Sequence, residues 1–200
     1  LHLVKDVSRE ELTFNNQSSD QTLIDGTVGG NENAFRILVD RFMDEVSRTV
    51  TGMLGAIPEV DDVVQEVFIK LHQSLHSFRG DASLKTFIVR MAINKSLDAL
   101  RRMKRRRRMQ PWTTIENVEL AAATRSDENL DTKEDSQILR QAIDSLPEKQ
   151  RSVIILRLVE DMSTEETARV LDIPYGTVLS RLKRGVERLK MELGDATVLR

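Results

Sequence analysis

Side chains able to engage a nucleic acid or a protein surface are concentrated in three places along the 200-residue chain. Between Arg101 and Arg108, "RRMKRRRR", seven of eight residues are cationic. From Ser163 to Lys190 the run "STEETARVLDIPYGTVLSRLKRGVERLK" sets Thr177, Ser180, Arg181, Lys183, Arg184 and Arg188 behind a turn. Between Asp61 and Glu66, "DDVVQE" places Asp61, Asp62, Gln65 and Glu66 at helical spacing. Clustered cations attract phosphate whatever the base sequence, whereas Arg, Ser and Thr on one helix face can also reach base edges. Three carboxylates and an amide form a polar face, either simply solvated or a docking surface.

None of this is a catalytic constellation. No Gly-rich phosphate loop, Ser/His/Asp order or isolated acid pair in an apolar setting occurs, so no enzymatic activity and no cofactor are expected. His72 and His76 lie one helical turn apart and flank an apolar stripe; they are two exposed histidines or two ligands of a metal lacking an evident third. No metal site is assigned. The chain has no cysteine, which excludes disulfides, thiol chemistry and Cys-ligated metals. No apolar run approaches the roughly 20 residues of a membrane span, and no basic segment followed by an apolar one is present. A cytoplasmic location without membrane insertion is the expectation.

The elements that must position these groups are helical. Hydrophobic content of 40% with 31% charged residues supports folding, and apolar residues recur at helical spacing with few glycines or prolines. The opening residues 1–19 read as a loose arm, with order from about Asp20. Phe35, Leu38, Val39, Phe42, Val46 and Val50 form one stripe, broken by Gly52, Gly55 and Pro58. A second helix spans about Val60 to Phe78, buried through Val64, Val67, Phe68, Leu71 and Leu75. "FRGDAS" is a loop, and a third helix carrying Phe87, Ile88, Met91 and Ala92 inward runs into the arginine block.

The formal net charge is only -2 because residues 113–136 hold seven acids against Arg125 and Lys133. That stretch, acidic and poor in apolar residues, reads as a linker. Helical spacing resumes at Ile138, and Pro147 suits the first turn of a further helix, predicted to bury Val153, Ile154, Leu156, Leu158 and Val159. Ser163 and Glu166 form a capping-box pattern. A short helix, a turn at "DIPYG" and a final helix from about Thr177 complete a helix-turn-helix for a major groove, or a helical hairpin with a solvated basic face. The arginine block likewise reads as a solvated helix end, an arm, a localisation signal or a phosphate-binding patch.

The order of parts resembles the extracytoplasmic-function sigma factors of bacterial RNA polymerase. The resemblance rests on "DDVVQEVFIKLHQSLHSFRGDASLKTFIVRMAINKSLDALRR", an acidic linker, and "LPEKQRSVIILRLVEDMSTEETARVLDIPYGTVLSRLKRGVERLK", covering about Asp20 to Lys190. It implies an all-α chain of two small helical domains: arm 1–19, region 2 over 20–110, linker 111–132 and region 4 over 133–200. It implies core RNA polymerase, through its beta and beta-prime subunits, and promoter DNA as partners, and an anti-sigma factor as inhibitor. On this resemblance Asp61, Asp62, Gln65 and Glu66 dock on the polymerase clamp. Phe78, Arg79, Gly80, Asp81, Ala82 and Ser83, with Arg90, Asn94, Lys95, Asp98, Arg101, Arg102 and Arg105, meet the minus-10 element. Thr177, Ser180, Arg181 and Arg184 meet the minus-35 element, with Lys183 and Arg188 on phosphate. Phe87 stands where the family commonly has Trp, and Leu179 where it commonly has Lys. The competing identity is a conventional helix-turn-helix regulator, which would dimerise on a palindrome and have no use for the first domain.

Overall fold

Several helices begin where the sequence supplies a side-chain acceptor for their free N–H groups, whereas those starting at Glu59 and Glu148 follow Pro58 and Pro147 without one. In the computed structural model, which describes residues 14–109 and 130–198, Ser19 caps α1 (Asp20–Val28) and Asn31 caps α2 (Glu32–Leu54). Arg41 on α2 pairs with Asp20 and donates to the carbonyls of Asn16 at 2.9 Å and Ser18 at 2.8 Å, tying the entry segment down. Gly55, at φ +81°, ends α2. α3 (Glu59–Ser74) continues into a 3₁₀ turn, Leu75–Ser77. The Ser83 hydroxyl accepts the Thr86 N–H at 3.1 Å and opens α4 (Leu84–Met109), which carries the helix through the arginine block. Of the linker expected over 111–132, residues 111–129 lie outside the described residues, and 130–132 instead open a helix, Leu130–Ser145.

The second half comprises α5 (Leu130–Ser145), α6 (Glu148–Ile154), a π turn at Ile155–Val159, α7 (Thr164–Leu171) and α8 (Tyr175–Val198). All elements among the described residues are helical, in two groups, as expected from the spacing. Leu23, Leu38, Val46, Val67, Leu71 and Ile88 lie in the core of α1–α4. Ala142, Leu146, Ile154 and Leu189 join α5, α6 and α8.

A third cluster joins the groups. Met53, Val89 and Ile93 from the first half are fully buried with Ile155, Leu156, Met162 and Val170 from the second. Gly52 does not break α2 as its type suggested: the helix runs past it to Leu54. The bare position instead receives Ile155, whose Cδ1 would lie 2.5 Å from any added Cβ. The π turn widens the helix and alters which residues face inward. Leu156 is buried, but Leu158 and Val159, expected inside, are 58% and 39% exposed.

Two polar groups cross this seam. Buried Arg151 on α6 donates to the Met53 carbonyl at 2.7 Å, and also to the carbonyls of Asp144 and Leu146. It thereby satisfies acceptors at the C-terminal ends of α2 and α5, where helix carbonyls lack partners. Buried Glu160 accepts from the Thr49 hydroxyl at 3.1 Å and lies 3.7 Å from the Arg48 guanidinium. Burial pushes its pKa above the ordinary 4.5, and the Thr49 hydrogen bond and Arg48 charge only partly oppose this.

A raised carboxyl pKa means that the folded state binds the Glu160 proton more tightly than the unfolded chain does. Its contribution to stability is therefore present below the ordinary pKa and lost as pH rises through the folded value. Glu160→Gln keeps an acceptor for Thr49 and does not ionise. Its thermal midpoint, relative to the parent chain, is expected to rise as the pH is raised above 4.5; a constant difference would show that Glu160 does not titrate in this way.

Candidate nucleic-acid interface

α4 is buried on two sides, which leaves one stripe free. Ile88 and Ala92 pack into the first core, and Val89 and Ile93 into the seam. Arg90, Asn94, Asp98 and Arg101 recur at spacings of four, four and three residues and are all exposed. This is the stripe that a helix with two buried sides presents outward. Asp98 and Arg101 pair at 2.8 Å within it. Beyond them Arg102, Arg105, Arg106 and Met109 line a shallow basic concavity at the helix end. Lys104 turns the other way and pairs with Glu148 on α6.

The loop 78–83 leads into this helix. Phe78 is half-buried, its ring 5.1 Å from that of Phe87, while Arg79, Gly80 and Asp81 are exposed. Gly80 adopts φ +76°, a conformation open to glycine at little steric cost. Ala82 is half-buried, and the Ser83 hydroxyl is committed to the α4 start. The aromatic pair thus anchors one end of the loop and the serine cap the other.

On α3 the four polar residues divide. Asp61, Asp62 and Gln65 are exposed. Glu66 is half-buried and turns towards α4, 3.0 Å from the Lys95 ammonium and 3.2 Å from the Arg102 guanidinium. Burial opposes its charge, but the hydrogen bonds and charges of Lys95 and Arg102 prevail and hold its pKa below the ordinary carboxylate value. Beside Gln65 runs an apolar groove lined by Phe35, Val39, Met43, Phe68 and Ile69, which sequence reasoning did not single out. Its signal was present: Ile69 lies off the inward stripe and is 58% exposed. His72 lines this groove with its ring edge-on to Phe35 at 4.7 Å. Among the described residues no group of three or more metal-binding side chains comes together.

In the second half the Ser163 hydroxyl accepts the Glu166 N–H at 3.1 Å, and the Glu166 carboxylate accepts the Ser163 N–H at 2.8 Å. The capping box read from the sequence is therefore formed. Backbone and side-chain hydrogen bonds with Ser163 hold the Glu166 pKa below its ordinary value. α7 ends at Asp172, φ +52°, and α8 starts at Tyr175, two residues before the expected Thr177. Thr167 and Val170 on α7 and Val178 on α8 are buried. Ser180, Lys183, Arg184 and Arg188 are exposed on α8, with Thr177 and Arg181 half-buried. Ser180 donates back to the Thr177 carbonyl at 3.1 Å, and Lys183 lies 4.0 Å from Glu187. Leu179 is 45% exposed and Tyr175 49%, placing an aromatic ring at the start of α8 that the sequence reading passed over.

With this geometry in place, comparison with known proteins is specific. Residues 38–107 match the Sigma-70 region 2 family and residues 136–189 the Sigma-70, region 4 family. The chain is 37% identical over 179 residues to the ECF RNA polymerase sigma-E factor of Escherichia coli (strain K12), covering 86% of this chain and 93% of the relative. It is 30% identical over 172 residues to the ECF RNA polymerase sigma factor SigW of Bacillus subtilis (strain 168), covering 83% and 92%. Its fold is similar to CnrH, solved in complex with the cytosolic domain of CnrY, with a TM-score of 0.65, 24% identity and coverage of 89% of this chain and 99% of that one. It is also similar to the sigma factor RpoE of Bartonella quintana, solved with the anti-sigma factor NepR. There the TM-score is 0.67, the identity 22% and the coverage 80% and 96%.

The capping box orients α7 and, through it, the turn into α8. Ser163→Ala is expected to cost about 1 kcal/mol, read as a lower denaturation midpoint, whereas Ser163→Asp, which retains a capping acceptor, should recover most of that loss.

Proposed function

The chain belongs to the extracytoplasmic-function sigma factors of the sigma-70 family, and from that premise we propose how its residues divide the work of starting transcription. A sigma factor is not an enzyme; it brings RNA polymerase to promoters. Residues 20–110 serve as region 2 and 133–200 as region 4. Asp61, Asp62 and Gln65, with Glu66 at their edge, dock on the polymerase clamp. Loop 78–83 and the stripe Arg90, Asn94, Asp98 and Arg101 meet the minus-10 element. Thr177, Ser180, Arg181 and Arg184 meet the minus-35 element, while Arg102, Arg105, Lys183 and Arg188 hold phosphates. The observation that carries this reading is the exposure of basic or polar stripes on both α4 and α8, each backed by a buried face. A simple helix-turn-helix regulator needs only the second.

The two DNA elements lie about 25 base pairs apart, or roughly 85 Å along the duplex at about 3.4 Å per step. A packed 200-residue chain has a radius of gyration of only about 16 Å. The two stripes therefore cannot meet both elements until the halves separate across the Met53–Ile155 seam. Residues 110–129, at up to about 3.5 Å per residue, reach roughly 70 Å when extended, enough to permit this. The packed arrangement, together with the solved likeness bound to an anti-sigma factor, supports a cytoplasmic cycle. In it an anti-sigma partner retains the packed form and polymerase takes the opened one.

Asp62→Ala with Gln65→Ala should weaken binding to core polymerase by tenfold or more while leaving the circular dichroism unchanged; undiminished binding would sink the docking assignment. In a reconstituted reaction with core polymerase, the same variant should lose promoter-dependent transcripts in proportion. Arg105→Ala with Arg106→Ala is expected to weaken all promoters alike and to lower the log-log salt slope by about 1 to 2. A changed order of promoter preference would show instead that the block reads bases.

A further inference from the structure

Glu66 belongs by position to the docking face on α3, yet its carboxylate is bound to two cations on α4. Its Oε2 lies 3.0 Å from Lys95 Nζ and its Oε1 3.2 Å from Arg102 Nη2. Each oxygen thus serves a different cation, seven residues apart on the neighbouring helix. A DNA phosphate offers the same pattern: one anionic centre with two accessible oxygens. Arg102 also borders the basic concavity formed with Arg105 and Arg106. Of the cations assigned to minus-10 DNA, Lys95 and Arg102 are the two held by a carboxylate from the other proposed surface. Asp61 and Asp62 make no ion pair among the described residues and remain exposed.

We propose that Glu66 is an exchangeable counter-ion coupling polymerase docking to DNA binding: in the free chain it occupies Lys95 and Arg102 in place of phosphate, and a polymerase cation that takes Glu66 releases both. This rests on the sigma-factor reading above. Both pairs are partly exposed, so each shifts an equilibrium only by about two- to fivefold. They are weak enough to exchange, and together still suppress DNA binding by the free chain. Binding linkage is reciprocal: the factor by which polymerase strengthens DNA binding at these cations is the factor by which DNA strengthens polymerase binding.

The test measures fluorescence anisotropy of a labelled fork-junction duplex with the full chain at about 50 to 200 mM salt. Glu66→Gln should bind the duplex about three- to tenfold more tightly than the parent and steepen the salt slope by about 1. Asp61→Asn, which removes the same charge from the same helix without freeing a cation, should show a clearly smaller effect. With saturating core polymerase, the strengthening of DNA binding should be smaller for Glu66→Gln than for the parent by the factor already gained in the free chain. If Glu66→Gln leaves the free-chain affinity and slope unchanged or lowers them, Glu66 orients the two cations for DNA and the proposal is overturned. An equal effect from Asp61→Asn reduces it to general charge and overturns it as well. Failure of the parent chain to bind core polymerase would strike the sigma-factor reading itself, a result distinguishable from both.

Discussion

The mutual placement of the two halves depends on one buried guanidinium. Arg151 donates to Met53 at the end of α2 and to Asp144 and Leu146 at the end of α5. Helix C-termini carry uncompensated carbonyls and the negative end of the helix dipole, so a cation there is favoured twice over. Burial pulls the Arg151 pKa below its usual value, opposed by Asp144 at 3.8 Å, but an arginine so placed remains charged. Because Arg151 stands on α6, the same contacts hold the π turn that follows and direct Ile155 into the notch at Gly52. α7 and α8 then hang from that turn.

The seam is made of unlike parts, and that bears on how it separates. Its apolar portion, Met53, Val89, Ile93, Ile155 and Leu156, contributes in proportion to area and has no directional requirement. Its polar portion, Arg151 with Met53 and Glu160 with Thr49, is directional and loses most of its worth after a small displacement. Glu160 also retains an oxygen with no hydrogen-bond partner, so part of its desolvation cost is uncompensated. A contact surface that contains an under-satisfied carboxylate is less tightly closed than an apolar core of equal size. That suits the proposed parting of the two halves.

Local patterns were legible in the sequence and non-local pairings were not. The inward stripe of α3, from Val64 to Leu75, and the Ser163–Glu166 capping box follow from spacings of three and four residues, and the structure reproduces them. Arg151 and Met53 are 98 residues apart, and Glu66 lies 29 and 36 residues from its partners. No periodicity within a window reports such pairs. Gly52 reads as a break because glycine disfavours helix by about 1 kcal/mol. Tertiary packing overrides that preference, since the absent side chain is the space that Ile155 fills. An α-helical period places Leu158 and Val159 inside, and the π turn interrupts that period.

The Phe78–Phe87 contact shows how a family departure acts through packing. Phe87 stands where the resemblance to sigma factors implies Trp, and an indole there would add an N–H donor and a second ring at the root of loop 78–83. Here Phe78 meets Phe87 at a ring separation of 5.1 Å, with the rings tilted by 55°. Such an aromatic pair is worth about 0.5 to 1.5 kcal/mol beyond the area it buries. The loop is thus anchored by contact alone, without a hydrogen bond from the ring. At its other end the anchor is the Ser83 cap on Thr86, which is local to α4. Between them Gly80, in a left-handed conformation with nothing within 4 Å of its missing side chain, leaves the tip unconstrained by packing. The loop is therefore held at its two roots and unconstrained by packing at its tip, which suits the role proposed for Arg79 and Asp81 in meeting an unstacked base.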